Sequence, residues 1–456
     1  MEAREKRYNL MLEAPIIKVI PIIALPMVIT MLIDSFYNLA DTYFVSTLGT
    51  YATAAVGVNN SLMFFLRAVG MGFGMGASSI ISRLLGAKKY DEASRVASTA
   101  FYTSLLLITL ISIAAYIKRS DLVMLLGATG NSRQYSIDYA DYILYSAPFT
   151  IGNTVLSQCL RAEGSTTYSM AGMVSGCIVN LVLDPLFIFV FHWGVAGAAA
   201  ATGLSKVISF MILLLPYFRG KSMIQVSTRF FAPSWSMYQE IGKMGIPSFL
   251  RTSLMSVSSV ITNNYAGSYG DSVLAAVSVS NRIMMFMGSM VLGFGQGFQP
   301  IAGYCWGAKK YRRTRKAFWV TSGYGLLICI FMGTLIYALA PKIVGAFTVD
   351  DHQIIKTGVF MVRLQCVVLP AHVWVMIING LFQALGRPIA ATVLGLSRQC
   401  ICLIPLLVIL NAALGLTGLE IAQSTSDVAS VILALPMLYM IMREIRQRMH
   451  SPEAVD

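Results

Sequence analysis

The sequence predicts an all-α polytopic membrane protein, with about twelve transmembrane helices arranged as two parallel six-helix repeats. Three observations carry this. The 456 residues are 56% hydrophobic and only 12% charged, against about 25% charged in a soluble protein of this size, and the mean hydropathy is +0.68. Stretches such as Ala100–Ile117, Leu204–Tyr217 and Leu326–Leu339 approach the roughly 20 apolar residues that cross a bilayer. The chain also repeats itself. At an offset of 221, eighteen of the forty-two positions 49–90 are identical to positions 270–311, where apolar sequence would match at roughly one in fifteen.

The spans fall near 15–40, 53–81, 96–117, 138–160, 167–191 and 196–218, then 239–266, 273–302, 317–340, 358–384, 389–411 and 419–442. Residues 1–218 form an N-lobe, 219–238 a linker, 239–442 a C-lobe and 443–456 a tail. Six spans per repeat give both the same orientation, so the repeats are related by an axis along the membrane normal. The repeat pairs Pro26 with Pro247, Gly72-Phe73-Gly74 with Gly293-Phe294-Gly295, and GAKKY at 86–90 with GAKKY at 307–311; Gly194 and Gly197 pair with Gly415 and Gly418.

The net charge of +13 could signal nucleic acid, but the basic residues lie where topology wants them. Loops on one side hold Arg83, Lys88, Lys89, Arg95, Arg161, Arg219, Lys221, Arg229, Lys243, Lys309 to Lys316 and Arg387, joined by Arg443, Arg446 and Arg448. The other side holds Lys118, Arg119, Arg133, Lys342 and Lys356. By the positive-inside rule both termini are cytoplasmic, and no nucleic-acid partner is implied. Met1–Arg7 is short and charged with no cleavage site after the first apolar run, so the first span serves as its own insertion signal. The seven Cys sit in apolar segments, and the four His are scattered at 192, 352, 372 and 450. Neither disulfide frame, metal motif, nucleophile elbow nor Walker loop is present, so enzymatic and ATP-driven chemistry and bound cofactors are not expected. GMGFGMG at 70–76 and GFGQG at 293–297 lie inside spans and read as close helix packing, not phosphate loops.

Function must come from the polar residues at membrane depth, where an unpaired acid costs several kcal/mol. Asp34, Tyr37, Asn38 and Asp41 fall three, four and seven apart, one stripe of the first span, with Pro26 just before it placed to bend the helix. In the fifth span, Asn180 and Asp184 share a face, and Pro185 leaves the carbonyl of Leu181 without its helical donor. Acids, an amide and a loose carbonyl are hard oxygen ligands for Na⁺ or a shared proton. Two carboxylates meeting in low dielectric cannot both stay ionised without a cation. Arg67, Arg251, Arg282 and Arg363 either hold ion pairs within the spans or sit nearer an interface.

LADTYFVSTLG at 39–49, the two GAKKY loops, RAEGSTTYSM at 161–170 and Asn180 with NLVLDPLFIF at 181–190 resemble the multidrug and toxic compound extrusion (MATE) transporters, in their DinF-type branch. The resemblance covers nearly the whole chain. It implies a V-shaped pair of six-helix lobes and a cation-coupled antiporter of a bacterial inner membrane that exports amphipathic, mostly cationic drugs. It maps a coupling site for H⁺ or Na⁺ onto Asp41, Asn180, Asp184 and Thr202, with Tyr139 nearby; the first four would hold the metal if the ion is Na⁺. Asp34, Tyr37, Asn38 and Asn153 are the candidate substrate contacts. The family's other large branch carries acids in the seventh and tenth spans, whereas Phe249–Tyr265 and Val359–Phe382 contain no Asp or Glu, which puts coupling in the N-lobe. Partners are then small-molecule drugs and the bilayer, and a monomer suffices. The alternatives are a lipid-linked oligosaccharide flippase of the wider superfamily, which would want a more cationic cavity, and an intramembrane enzyme, which lacks a nucleophile cluster.

Overall fold

In the computed structural model, which describes residues 2–128, 130, 132–346, 352–452, 454 and 455, the described residues are helical nearly throughout. The first repeat holds α2 (Ile16–Ser46), α3 (Thr50–Gly86), α4 (Tyr90–Ile117), α6 (Arg133–Ala162), α7 (Thr166–Pro185) and α8 (Gly194–Phe218). The second holds α9 (Trp235–Gly267), α10 (Asp271–Gly307), α11 (Tyr311–Gly345) and α12 (His352–Ala384), then the pair α13 (Pro388–Leu396) and α14 (Leu403–Leu414), and α15 (Leu416–Met449). The twelve expected spans are all present, one of them interrupted. Ten are long and apolar enough to cross a membrane by composition; α6 and α9, which carry more polar residues, are not among them. Two short helices were not foreseen: α1 (Glu2–Leu12) in the charged N-terminus and α5 (Arg119–Leu125) after α4.

The repeat extends to individual backbone bonds. Gly49 and Gly270 both take positive φ, 102° and 105°, before α3 and α10. Each GAKKY loop places its first lysine in the left-handed region, Lys88 at 61° and Lys309 at 58°. Lys89 N then donates to Leu84 O and Lys310 N to Cys305 O, both at 2.9 Å, which satisfies a helix-end carbonyl in the same way twice.

The chain packs as two units, and the first helix of each repeat is divided between them. The N unit comprises Met1–Leu10 and Ile29–Phe249; the C unit comprises Met11–Val28 and Leu250–Asp456. The division follows glycine seams. In the N unit, a Cβ on Gly245 of α9 would stand 2.2 Å from Gly72 O of α3, and one on Gly76 would stand 2.4 Å from Ile241 O. In the C unit, a Cβ on Gly293 or Gly297 of α10 would meet Val28 Cα at 2.7 Å or Ala24 Cα at 2.5 Å on α2. No side chain fits at such contacts, so the glycine runs serve close helix packing.

Loop anchors differ between units. In the N unit, the buried Glu163 carboxylate accepts from Arg7 Nη1 (3.2 Å), Ser165 Oγ (2.5 Å), Ser222 Oγ (2.7 Å), Met223 N (2.6 Å) and Ile224 N (3.3 Å). It ties α1, the α6–α7 turn and the linker together. Burial holds its carboxyl above the ordinary glutamate range, against the opposing pull of Arg7 and the hydrogen bonds. In the C unit, Arg313 donates to Met11 O (3.0 Å) and Ala14 O (2.6 Å).

Candidate functional site

The site is built inside the N unit from α2, α6, α7 and α8. Asp184, Asn180, Thr202 and Tyr139 are each at most 2% exposed. One helical turn separates Asn180 from Asp184, so both face α8. In the amide orientation that satisfies both ends, Asn180 Nδ2 donates to Asp184 Oδ2 at 2.8 Å, and its Oδ1 accepts from Thr202 N at 3.1 Å and Oγ1 at 3.2 Å. Asn180 thereby fixes one oxygen of Asp184.

From α2, the Asp41 side chain lies beside that of Asp184. Tyr37, one turn earlier on the same stripe, is buried beside Thr202. The second oxygen of Asp41, Oδ1, is buried without a hydrogen-bond partner. Two carboxyls in contact require a proton or metal ion between them, and an unmet buried oxygen is the acceptor such a cation would use. Among the described residues, no Lys or Arg stands within salt-bridge distance of Asp41 or Asp184. In this amide orientation the two carboxylates are the acceptors open to Na⁺ or H⁺, while the Asn180 oxygen and the Thr202 hydroxyl hold one another.

Local chain geometry explains why α7 presents these groups. After Asp184-Pro185 the helix widens into a π-turn at Leu186–Val190, a distortion common at functional sites. Phe187, Phe191 and Trp193 cluster beyond it with ring centroids 5.1–5.8 Å apart, and Phe44 of α2 meets Phe189 edge-on at 6.3 Å. A Cβ on Gly197 would stand 2.9 Å from Phe187 O, so glycine lets α8 approach the turn.

The proposed substrate contacts are less uniform. Asp34 is engaged: Arg67 Nη2 lies 2.9 Å from its Oδ2. Asn38 is exposed, and its Nδ2 bonds the backbone carbonyl of Asp34 at 2.6 Å. Asn153 is buried; its Nδ2 donates to Lys206 O at 2.9 Å while its Oδ1 has no partner. Pro26 lies within α2, which runs as one helix through Pro21 and Pro26.

One charged residue beside the site escaped the sequence reading. Lys206 sits one turn after Thr202 on α8, half-buried, with Nζ 5.6 Å from the Tyr37 ring centroid and within electrostatic reach of Asp41. A lone lysine in the apolar run GLSKVISF was the available signal. Of the arginines left open, Arg67 pairs with Asp34. Arg363 stacks on Tyr337, 5.0 Å from its centroid. Arg251 reaches Met376 Sδ, at 3.9 Å, and Arg282 is exposed.

The C unit has its own buried acid, Asp427, which is 4% exposed. Arg398 Nε donates to its Oδ1 at 2.5 Å, and His372 Nδ1 stands 3.6 Å from the same oxygen, long for a hydrogen bond. Arg398 is delivered by a second π-turn, Ser397–Ile401.

Comparisons with known proteins agree across this architecture. The MatE family model matches residues 26–186 and 247–409, one copy per repeat. The multidrug export protein MepA of Staphylococcus haemolyticus (strain JCSC1435) is 30% identical over 428 residues, covering 94% of each chain. Among solved structures, the outward-facing conformation of a multidrug resistance MATE family transporter of the MOP superfamily superposes with a TM-score of 0.91 at 28% identity, covering 97% of this chain and 99% of that one. A MOP superfamily transporter from Pyrococcus furiosus, described as having a binding pocket of reverse polarity, superposes with a TM-score of 0.90 at 28% identity, again over 97% and 99%.

Proposed function

Because the chain belongs to the MatE family of membrane transporters, we propose that it is a cation-coupled multidrug efflux antiporter with its coupling site in the N unit, at Asp41, Asn180, Asp184 and Thr202. The observation that carries this is the juxtaposition of Asp41 and Asp184 with, among the described residues, no Lys or Arg at salt-bridge distance from either. The exporter acts on amphipathic, mostly cationic compounds, as the relative's multidrug export also favours. It resides as a monomer in a bacterial plasma membrane, both termini cytoplasmic, in the DinF-type branch.

The charges set the stoichiometry. Asp34 is matched by Arg67, which leaves two carboxylates facing Lys206, a net charge of −1. One proton or one Na⁺ neutralises the site. On taking it up, Asp41 and Asp184 lose their mutual repulsion, and α2 is free to settle more closely on α7 and α8. With Tyr37 and Asn38 on the same helix, that movement changes the surface offered to a drug. Each ligand then shifts the equilibrium between states by its differential affinity for them, which couples the two fluxes.

Drug efflux from sensitive cells expressing Asp41→Asn tests the reading, with ethidium as substrate and Na⁺ and a protonophore varied separately. We expect efflux to fall to the vector level at equal expression, and the ion whose removal stops the wild type names the coupling cation. Full efflux by Asp41→Asn would overturn the N-unit site. A flippase of lipid-linked anions remains a second reading on one observation: Arg251 has no carboxylate partner among the described residues.

A further inference from the structure

At the basic end of the C unit, Arg312, Arg315, Lys316, Trp319 and Val320 of α11 and Met449 of α15 line an open cleft of about 370 Å³. The five α11 residues fall at i, i+3, i+4, i+7 and i+8, a single face of the helix. No acid lines the cleft, and among the described residues neither Arg315 nor Lys316 has a carboxylate within salt-bridge distance. The acid near the end of α15, Glu444, is taken by Arg387 and Arg448. Below the cations, Trp319 is 49% exposed, and the same face continues through Gly323 to the exposed Leu326, Leu327 and Ile330.

The repeat shows what normally covers this face. Shifted by 221, Arg315, Trp319 and Val320 correspond to Ser94, Ser98 and Thr99 of α4. There the linker lies along the helix: Gln225 N donates to Ser94 Oγ (3.0 Å), Ser227 N to Ser98 Oγ (3.2 Å) and Ala232 N to Thr99 Oγ1 (3.3 Å). In the second repeat, the described residues after α15 return to the α10–α11 turn, where Val455 N donates to Lys309 O at 3.2 Å. Where the first has three hydroxyls that accept from the linker backbone, the second has an arginine, a tryptophan and a valine.

We propose that this cleft seats the phosphate headgroup of an anionic glycerophospholipid, with Arg315 and Lys316 as its charged contacts. Trp319 sits at the headgroup level, and the acyl chains lie on the Leu326–Leu327–Ile330 face. The stacking of cations, an interfacial tryptophan and an apolar stripe on one helix face selects a lipid over free phosphate. The charge selects an anionic over a zwitterionic headgroup.

Tryptophan quenching by brominated lipid tests this on the full-length protein in bilayers. Dibrominated phosphatidylglycerol is compared with dibrominated phosphatidylcholine, and the Trp319 signal is isolated by difference from Trp319→Phe. We expect phosphatidylglycerol to reach half-maximal quenching at a mole fraction about ten-fold lower than phosphatidylcholine. Arg315→Gln/Lys316→Gln should abolish that preference without changing elution or thermal unfolding in phosphatidylcholine. Equal quenching by the two lipids in the wild type would overturn the proposal by itself, whether or not the double variant folds. A preference that survives the double variant would also overturn it.

Discussion

The two repeats hold their buried acids in opposite conditions. In the N unit, Asp41 and Asp184 lie side by side and, among the described residues, no basic side chain stands at salt-bridge distance and Asp41 Oδ1 has no partner. In the C unit, Asp427 is already closed by Arg398 at 2.5 Å, with His372 beside it. Duplicated architecture therefore need not carry duplicated chemistry. A carboxylate whose counter-ion is covalently part of the protein cannot exchange it, whereas a carboxyl pair without one must take its cation from outside.

Removing the internal counter-ion of the C unit is the most severe way to strain this contrast. Arg398→Ala leaves Asp427 buried and unpaired, at a cost of about 3–5 kcal/mol. We expect a lowered unfolding temperature in detergent, while the surviving folded protein keeps the cation dependence of wild-type efflux. A change in that dependence would place coupling in the C unit as well. A milder probe adjusts the N unit instead. Lys206→Met removes the positive charge that competes for Asp41, worth roughly 1–2 kcal/mol at an effective dielectric near 20. The half-saturating concentration of the coupling ion should fall about ten-fold, read from drug transport in proteoliposomes; an unchanged value would separate Lys206 from the site.

The smallest effect concerns Glu163, the N-unit loop anchor whose counterpart at the 221-residue offset in the C unit is Ala384. Burial raises its folded-state carboxyl above the ordinary glutamate range, so the folded protein binds the proton more tightly than the unfolded chain. Its contribution to stability is full below the ordinary glutamate range and declines as pH rises through the folded value. Thermal unfolding against pH should show this slope in the wild type and a flatter one in Glu163→Gln. Parallel curves would mean that the anchor does not titrate in that window.

The fold was legible because its signals are local or repeated. Apolar stretches mark the spans, and the 221-residue offset predicts the paired glycine seams and lysine turns. The polar α1, by contrast, carries no apolar stripe. At the site, helical spacing alone aligns Asp34 to Asp41 and Asn180 with Asp184, since one helix defines each face. Thr202 and Tyr139 came only from the family resemblance. Lys206 beside Tyr37, Arg67 on Asp34 and Arg398 on Asp427 were illegible, because each depends on which faces of distant helices meet. Spacing along one helix does not encode that.

The shared first helices have a consequence for how the protein is made. Ala24 and Val28 enter the membrane among the first residues synthesised, yet the glycines they pack against, Gly293 and Gly297, are among those of the second repeat. Gly72 and Gly76 likewise wait for Ile241 and Gly245. Neither repeat can complete its packing while the ribosome is still within the first, so a fragment ending at residue 218 should be degraded or aggregate, not persist as half a transporter. The sequence repeats itself, yet through the exchange of half-helices each unit draws part of its packing from the other repeat.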